Sequence, residues 1–236
     1  MDESAVDLAG ARLVVAGGTG TVGRYLVKAL LEAGATVIVP SRTQEKIDKL
    51  SAGLDANERD RIEALVGDIT DETEGARMVE AAGKIDGAIV SIGRWVSAPE
   101  VLDAERADLE RAVANYAFEH FSVAKTLLPA VEKGGGGYVM ITGSLSYEPD
   151  GPGTGLVAIA GAAQSMLARV LMKERAERGA RINEIVIYSS FGRGDDDANE
   201  VKGDDVGRVA AFLLSDEGSA VKDQSIHLRS RQDLRR

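Results

Sequence analysis

The sequence predicts the α/β class, a doubly wound parallel sheet of about seven strands with helices on both faces. Three observations predict it. Short apolar runs alternate with longer helix-period stretches from end to end, the first run closes on a cluster of glycines, and no internal repeat or Pro/Gly/Ser linker divides the 236 residues. A chain of this length can bury one sizeable core, so a single domain over 1–236 is expected. Strand–helix alternation of this kind favours parallel pairing with right-handed crossovers.

Arg12–Ala16 (RLVVA) is the first strand. From Val22, apolar residues recur at Leu26 and Leu30, with Val27 and Leu31 beside them, which is one face of a helix that Gly34 ends. Residues 36–39 form strand two, Ile62–Val66 strand three, 86–91 strand four and 138–142 strand five, the last after the glycines at 134–137. Residues 182–187 form strand six and Ser225–Leu228 strand seven. Helices fill the gaps, most clearly at 102–131 (with a break), 156–178 and 205–214. In such sheets ligands sit beyond the carboxyl ends of the strands, so the residues just after each strand are the informative ones.

Composition narrows the function classes. Hydrophobic residues make up 44% and charged residues 28%, as in globular domains. With no cysteine there is no thiolate metal site or disulfide, and His120 and His227 are too few for a histidine-rich centre, so no metal is expected. A net charge of −10 argues against nucleic acid. No apolar run approaches the ~20 residues of a membrane span, and the acidic start MDESAVDLAG lacks the features of a signal peptide. The expectation is a cytoplasmic protein without a membrane partner. Arg229, Arg231, Arg235 and Arg236 read as a phosphate clamp or partner contact, or as a solvated tail.

After strand one comes Gly17-Gly18-Thr19-Gly20-Thr21-Val22-Gly23. It contains G-x-G-x-x-G and G-x-x-G-x-x-G, placed between a strand and a helix, the setting of a Rossmann-like dinucleotide turn. Glycine lets the backbone approach a pyrophosphate, and the helix N-terminus offers free N–H groups to it. Strand two is followed by Pro40-Ser41-Arg42, where an NAD site would carry an acid. Arg42 can grip a 2′-phosphate through its planar fork and Ser41 can add a hydroxyl, so NADP(H) is the expected cofactor. Asp68 and Ile69 follow strand three. Asp68 suits the adenine edge, or reads equally as a helix N-cap. Ser91, Ile92 and Gly93 would run past the ribose, and Arg94 and Trp95 line the cleft or only pack the loop.

These features resemble the short-chain dehydrogenase/reductase family over nearly the whole length. The resemblance rests on the glycine turn, Ser41-Arg42, Gly67-Asp68-Ile69, residues 86–93, Asn115, Pro129, YVMITGS at 138–144, ARINEI at 180–185 and SDEGSAVKDQSIHL at 215–228. It implies hydride transfer between nicotinamide and a small carbonyl or alcohol substrate. It also implies a Ser that orients the substrate oxygen, a Tyr thirteen residues later as acid/base, a Lys four beyond that tunes the Tyr, and a helix Asn in a proton relay. Ser144 matches the Ser, and Asn115, fourteen residues before Pro129, matches the Asn. Val157 and Gly161 stand in the Tyr and Lys positions. Neither moves a proton, a loss typically worth ~10²–10⁴-fold.

Further departures are Ile187-Tyr188 in place of Pro-Gly and the stretch 229–231 in place of Asp-Gly-Gly. The polar loop 189–203, with Asp195, Asp196 and Asp197, reads as solvated or as a cation site. Tyr147 is the candidate replacement donor, with Tyr188, Glu148 and Asp150 behind it, each with a packing or loop role as its alternative. Lys125 lies about three helical turns from Asn115. The small residues Ala158, Ala160, Gly161, Ala162 and Ala163 would let helices of two subunits approach, and the family implies a homo-oligomer, dimer or tetramer. Three functions follow: an NADP(H)-binding protein that acts through its bound state, a reductase with a relocated donor, or an inactive structural subunit of a hetero-oligomer.

Overall fold

The computed structural model describes residues 6–95, 100–188 and 200–231. Seven parallel strands lie in the order β3-β2-β1-β4-β5-β6-β7. They are β1 (Arg12–Ala16), β2 (Thr36–Ser41), β3 (Ile62–Val66), β4 (Gly87–Val90), β5 (Gly137–Gly143), β6 (Arg181–Ile187) and β7 (Ser225–Leu228). The doubly wound sheet of the sequence reading is the observed one. Strand order reverses between β1 and β4, which places the switch point beside the glycine turn.

β2 runs two residues further than the apolar pattern suggested, through Pro40. Its pairing with β1 ends at Ile38, so the missing N–H of Pro40 forfeits no bond to that neighbour. The extension carries Ser41 to the very end of the strand and sets Arg42 just beyond it.

The helices are α1 (Gly23–Glu32), α2 (Gln44–Ser51), α3 (Ala56–Arg59), α4 (Glu72–Ala82), α5 (Arg106–Val113), α6 (Glu119–Gly134), α7 (Gly155–Glu174) and α8 (Gly203–Leu214). Alternating strand residues feed two cores, as the pleat requires. Val15, Val37 and Ile185 face Leu26 and Leu30 of α1 and Val206 of α8. Val14, Ile38 and Met140 face Met78 of α4, Leu127 of α6 and Met172 of α7. The expected break in 102–131 is double: a 3-10 turn at Val101–Asp103 precedes α5, and a π-helical turn, Ala114–Phe118, joins α5 to α6.

Two expectations are corrected, the second in part. α7 is apolar and long enough to cross a membrane by length and composition, but it is half buried and serves as a core helix against the sheet. Of its small residues, Ala158, Ala160 and Gly161 are buried within the chain and open no face to a second subunit, whereas Ala162 and Ala163 are exposed. Its large exposed apolar residues are Ile159, Met166 and Val170, and Phe118 and Phe121 at the start of α6 are exposed as well. Of the tail arginines, Arg231 pairs with buried Asp205 at 3.1 Å, and the exposed Arg229 pairs with Glu148 at 2.9 Å. Arg235 and Arg236, and Asp195, Asp196 and Asp197, lie outside the described residues.

Candidate dinucleotide site

β1 delivers the chain to Gly17, which takes φ +85°. A Cβ on Gly17 would lie 2.2 Å from the carbonyl oxygen of Ser91, and one on Gly23 would lie 2.0 Å from the carbonyl oxygen of Gly17. The turn therefore packs backbone on backbone against both α1 and the loop after β4, which only glycine permits. Gly20 closes the turn by donating its N–H to the Gly17 carbonyl at 2.9 Å. Val22 is the N-cap of α1 and no side chain caps it, so the helix end is left for a ligand.

All the residues expected to bind a dinucleotide, except Thr21, Val22 and Gly23, line one cavity of about 820 Å³. Thr21 is exposed on the turn and Gly23 is buried behind it. Gly17, Thr19 and Gly20 meet Ser41 and Arg42 from β2, Asp68 and Ile69 from beyond β3, and Ser91 and Gly93 from beyond β4. Gly93 lies against the ring of Tyr116, where a Cβ would come within 3.3 Å.

Arg42 is exposed and has no ion pair or hydrogen bond among the described residues. Ser41 is buried and donates its hydroxyl to the Thr43 carbonyl at 3.1 Å. Asp68 is not a helix cap. Asp71 is, accepting from the backbone N–H of Thr73 and Glu74. Asp68 instead takes the N–H and hydroxyl of Thr70 on one oxygen, at 3.0 and 2.7 Å.

Sequence reading missed most of the charge around this cavity. Arg24 and Lys28 of α1 and Lys46 and Lys49 of α2 line it unforeseen, beside Arg94, which the sequence had offered for the cleft. The signal was present: Arg24/Lys28 and Lys46/Lys49 are spaced to share a helix face. In a chain of net charge −10, this is a local cationic basin suited to a polyanion. Glu119, the first residue of α6, was also missed. Burial holds its carboxyl above the usual carboxylate range, with Asp68 adding to the effect and Arg42 and Arg94 opposing it. Trp95 does not line the cavity and is 45% exposed.

Beneath the loop after β4 sits His120, fully buried, whose Nε2 lies 2.8 Å from the Ile92 carbonyl oxygen. Burial lowers its pKa to about 4, and the bond to Ile92 opposes that shift, so the ring is neutral. Gln164 of α7 is buried beside it and donates to the Ile141 carbonyl at 3.0 Å.

At the carboxyl end of β5, Ser144 opens a 3-10 turn, Ser144–Ser146, and Asn115 lies in the π-helical turn. Both are partly buried, and neither lines the cavity. Val157 is buried. A Cβ on Gly161 would lie 2.7 Å from the hydroxyl of Ser146, so Ser146 fills the space beside that glycine. Tyr147 donates to Glu184 of β6 at 2.7 Å. Tyr188 lies 3.0 Å from Nδ1 of His227 and 3.3 Å from Glu148, with the Arg229 guanidinium over its ring. Asp150 is exposed, and Lys125 pairs with Glu72 at 2.8 Å. Among the described residues, no group of three or more His, Asp or Glu could hold a metal.

Residues 11–189 match the sequence pattern described as short chain dehydrogenase. The chain belongs to the short-chain dehydrogenase family. Curated relatives include the oxidoreductase asL5 of Sarocladium schorii, 28% identical, with 90% of this chain and 91% of the relative covered. Among solved structures, a short-chain type dehydrogenase/reductase from Mycobacterium ulcerans superposes with a TM-score of 0.84 at 23% identity, covering 98% of this chain and 92% of that one. A gluconate 5-dehydrogenase from Burkholderia cenocepacia, solved with NADP and tartrate, gives 0.80 at 21% identity, covering 94% and 95%.

The short-chain dehydrogenase family binds nicotinamide cofactors, and the glycine cradle and cationic basin fit such a group. Its diphosphate needs close backbone and a helix end, and both are present at 17–23. Val157 is buried in the core, and Gly161 packs against Ser146.

Proposed function

We propose that this protein binds NADP(H) and acts through that bound state, as a cofactor-gated binding or regulatory member of the family. The observation that carries the reading is Arg42, a guanidinium just beyond β2 with no ion pair or hydrogen bond among the described residues, lining the same cavity as the glycine turn. A 2′-phosphate there would gain a forked, charge-assisted contact, with Arg24 and Lys46 adding to the local field. The backbone of the turn and the open end of α1 would take the diphosphate. When bound, the nicotinamide supplies hydride chemistry. The chain itself offers no residue at 157 or 161 that holds or moves a proton. Fluorescence titration with NADPH, followed by turnover assays on a panel of small carbonyl compounds and alcohols, tests this. Binding without turnover is expected; no binding defeats the reading.

Ser144 and Asn115 support a second reading, an NADPH-dependent reductase with a relocated donor. Both keep the family's positions relative to β5 and Pro129. In that reading Tyr147 is the candidate donor, exchanging its bond to Glu184 for one to the substrate oxygen. Measurable turnover that Tyr147→Phe abolishes would favour it.

A homo-oligomer, dimer or tetramer, is part of the proposal. Its support is the outward apolar patch of Phe118, Phe121, Ile159, Met166 and Val170, since such patches mark association sites.

A further inference from the structure

We propose that Glu119 selects the base of the bound dinucleotide, accepting a hydrogen bond from the exocyclic amino group of adenine and so disfavouring a base with a keto oxygen in that place. This rests on the NADP(H) reading of the cavity and extends it to the base.

Glu119 begins α6 directly after the π-helical turn. Phe118 and Phe121 on either side point to solvent and His120 is in the core, so Glu119 is the member of this stretch that reaches the cavity. It is half-buried and has no hydrogen bond or ion pair among the described residues. A carboxylate taken partly out of water without a donor is unfavourable, and a ligand that brings an N–H relieves it.

The groups that act on it set which part of the dinucleotide it meets. From the end of β2 comes Arg42, from beyond β3 Asp68, and from beyond β4 Arg94. Phosphates are excluded as its partner by like charge, and they have the glycine turn and Arg42. Asp68 and Ile69 line the same cavity, and one oxygen of Asp68 is already engaged by Thr70. The base amino group is the N–H donor left in a dinucleotide at that end. A keto oxygen in its place would meet a carboxylate with no proton to share.

Calorimetric titration of the full chain with NADPH and with its deaminated analogue, which carries hypoxanthine for adenine, tests this. The wild type should bind NADPH at least about tenfold more tightly, the scale of one hydrogen bond to a charged group. Glu119→Gln keeps the shape and offers the base both a donor and an acceptor, so the ratio should fall toward one. Equal affinities in the wild type, or an unchanged ratio in Glu119→Gln, would overturn the role of Glu119 while leaving the cofactor reading intact. Failure of both dinucleotides to bind would overturn the cofactor reading, and this one with it.

Discussion

Tyr147 donates its hydroxyl hydrogen to the buried carboxylate of Glu184 across 2.7 Å. The same carboxylate also receives the hydroxyls of Thr142 at 2.7 Å and Ser225 at 2.6 Å. In this state Tyr147 is a tether between the turn after β5 and the edge of the sheet.

Tyr147→Phe should therefore lower stability by about 1–3 kcal/mol, because Glu184 stays buried with one donor fewer. Chemical denaturation measures the loss, and NADPH affinity should not move. A variant as stable as wild type would contradict the tether.

His120 makes stability depend on pH. Its folded pKa of about 4 lies below the ordinary 6.5, so the unfolded chain binds the extra proton between those values. The contribution is complete above pH 6.5 and is lost as pH falls toward 4, on the order of 3 kcal/mol in all. His120→Phe should flatten that part of the profile in denaturant titrations. An unchanged slope would show that other groups carry it.

Gly23→Ala would set a Cβ 2.0 Å from the Gly17 carbonyl oxygen, an atom of backbone that cannot rotate away. The turn must open, at about 3 kcal/mol of overpacking. Loss of NADPH binding with the fold retained by circular dichroism is expected. Binding at wild-type affinity would separate the turn from the cofactor.

Phe121 and Met166 are 54% and 50% exposed on adjoining helices. If this patch joins subunits, Phe121→Asp with Met166→Asp should shift the sedimentation profile to monomer without loss of helical content. An unaltered profile would place any interface elsewhere.

Much of the architecture was legible in the sequence because its signals are local. Short apolar runs set the strands, the 3.6 pattern set α1, and the glycine spacing set the turn. Pro40 hid the end of β2 because a strand proline is tolerated only where a neighbour's pairing has ended, which is a tertiary fact. Asp68 and Asp71 are equally good caps on paper, and only the start of α4 decides between them. The basin of Arg24, Lys28, Lys46 and Lys49 needed two helices brought side by side. Glu184 and its three hydroxyl donors lie on different strands and a turn, the outermost partners, Thr142 and Ser225, being 83 positions apart. No spacing rule reaches that far. Glu119 was hidden by the π-helical turn, which shifts the phase of α6 relative to α5.

The central claim is that Arg42 recognises the extra phosphate of NADP(H). Calorimetric affinities of wild type and Arg42→Ala for NADPH and for NADH test it most directly. The account predicts a loss of at least about tenfold for NADPH and little change for NADH. Equal losses for the two cofactors, or a wild type with no preference for NADPH, would contradict it.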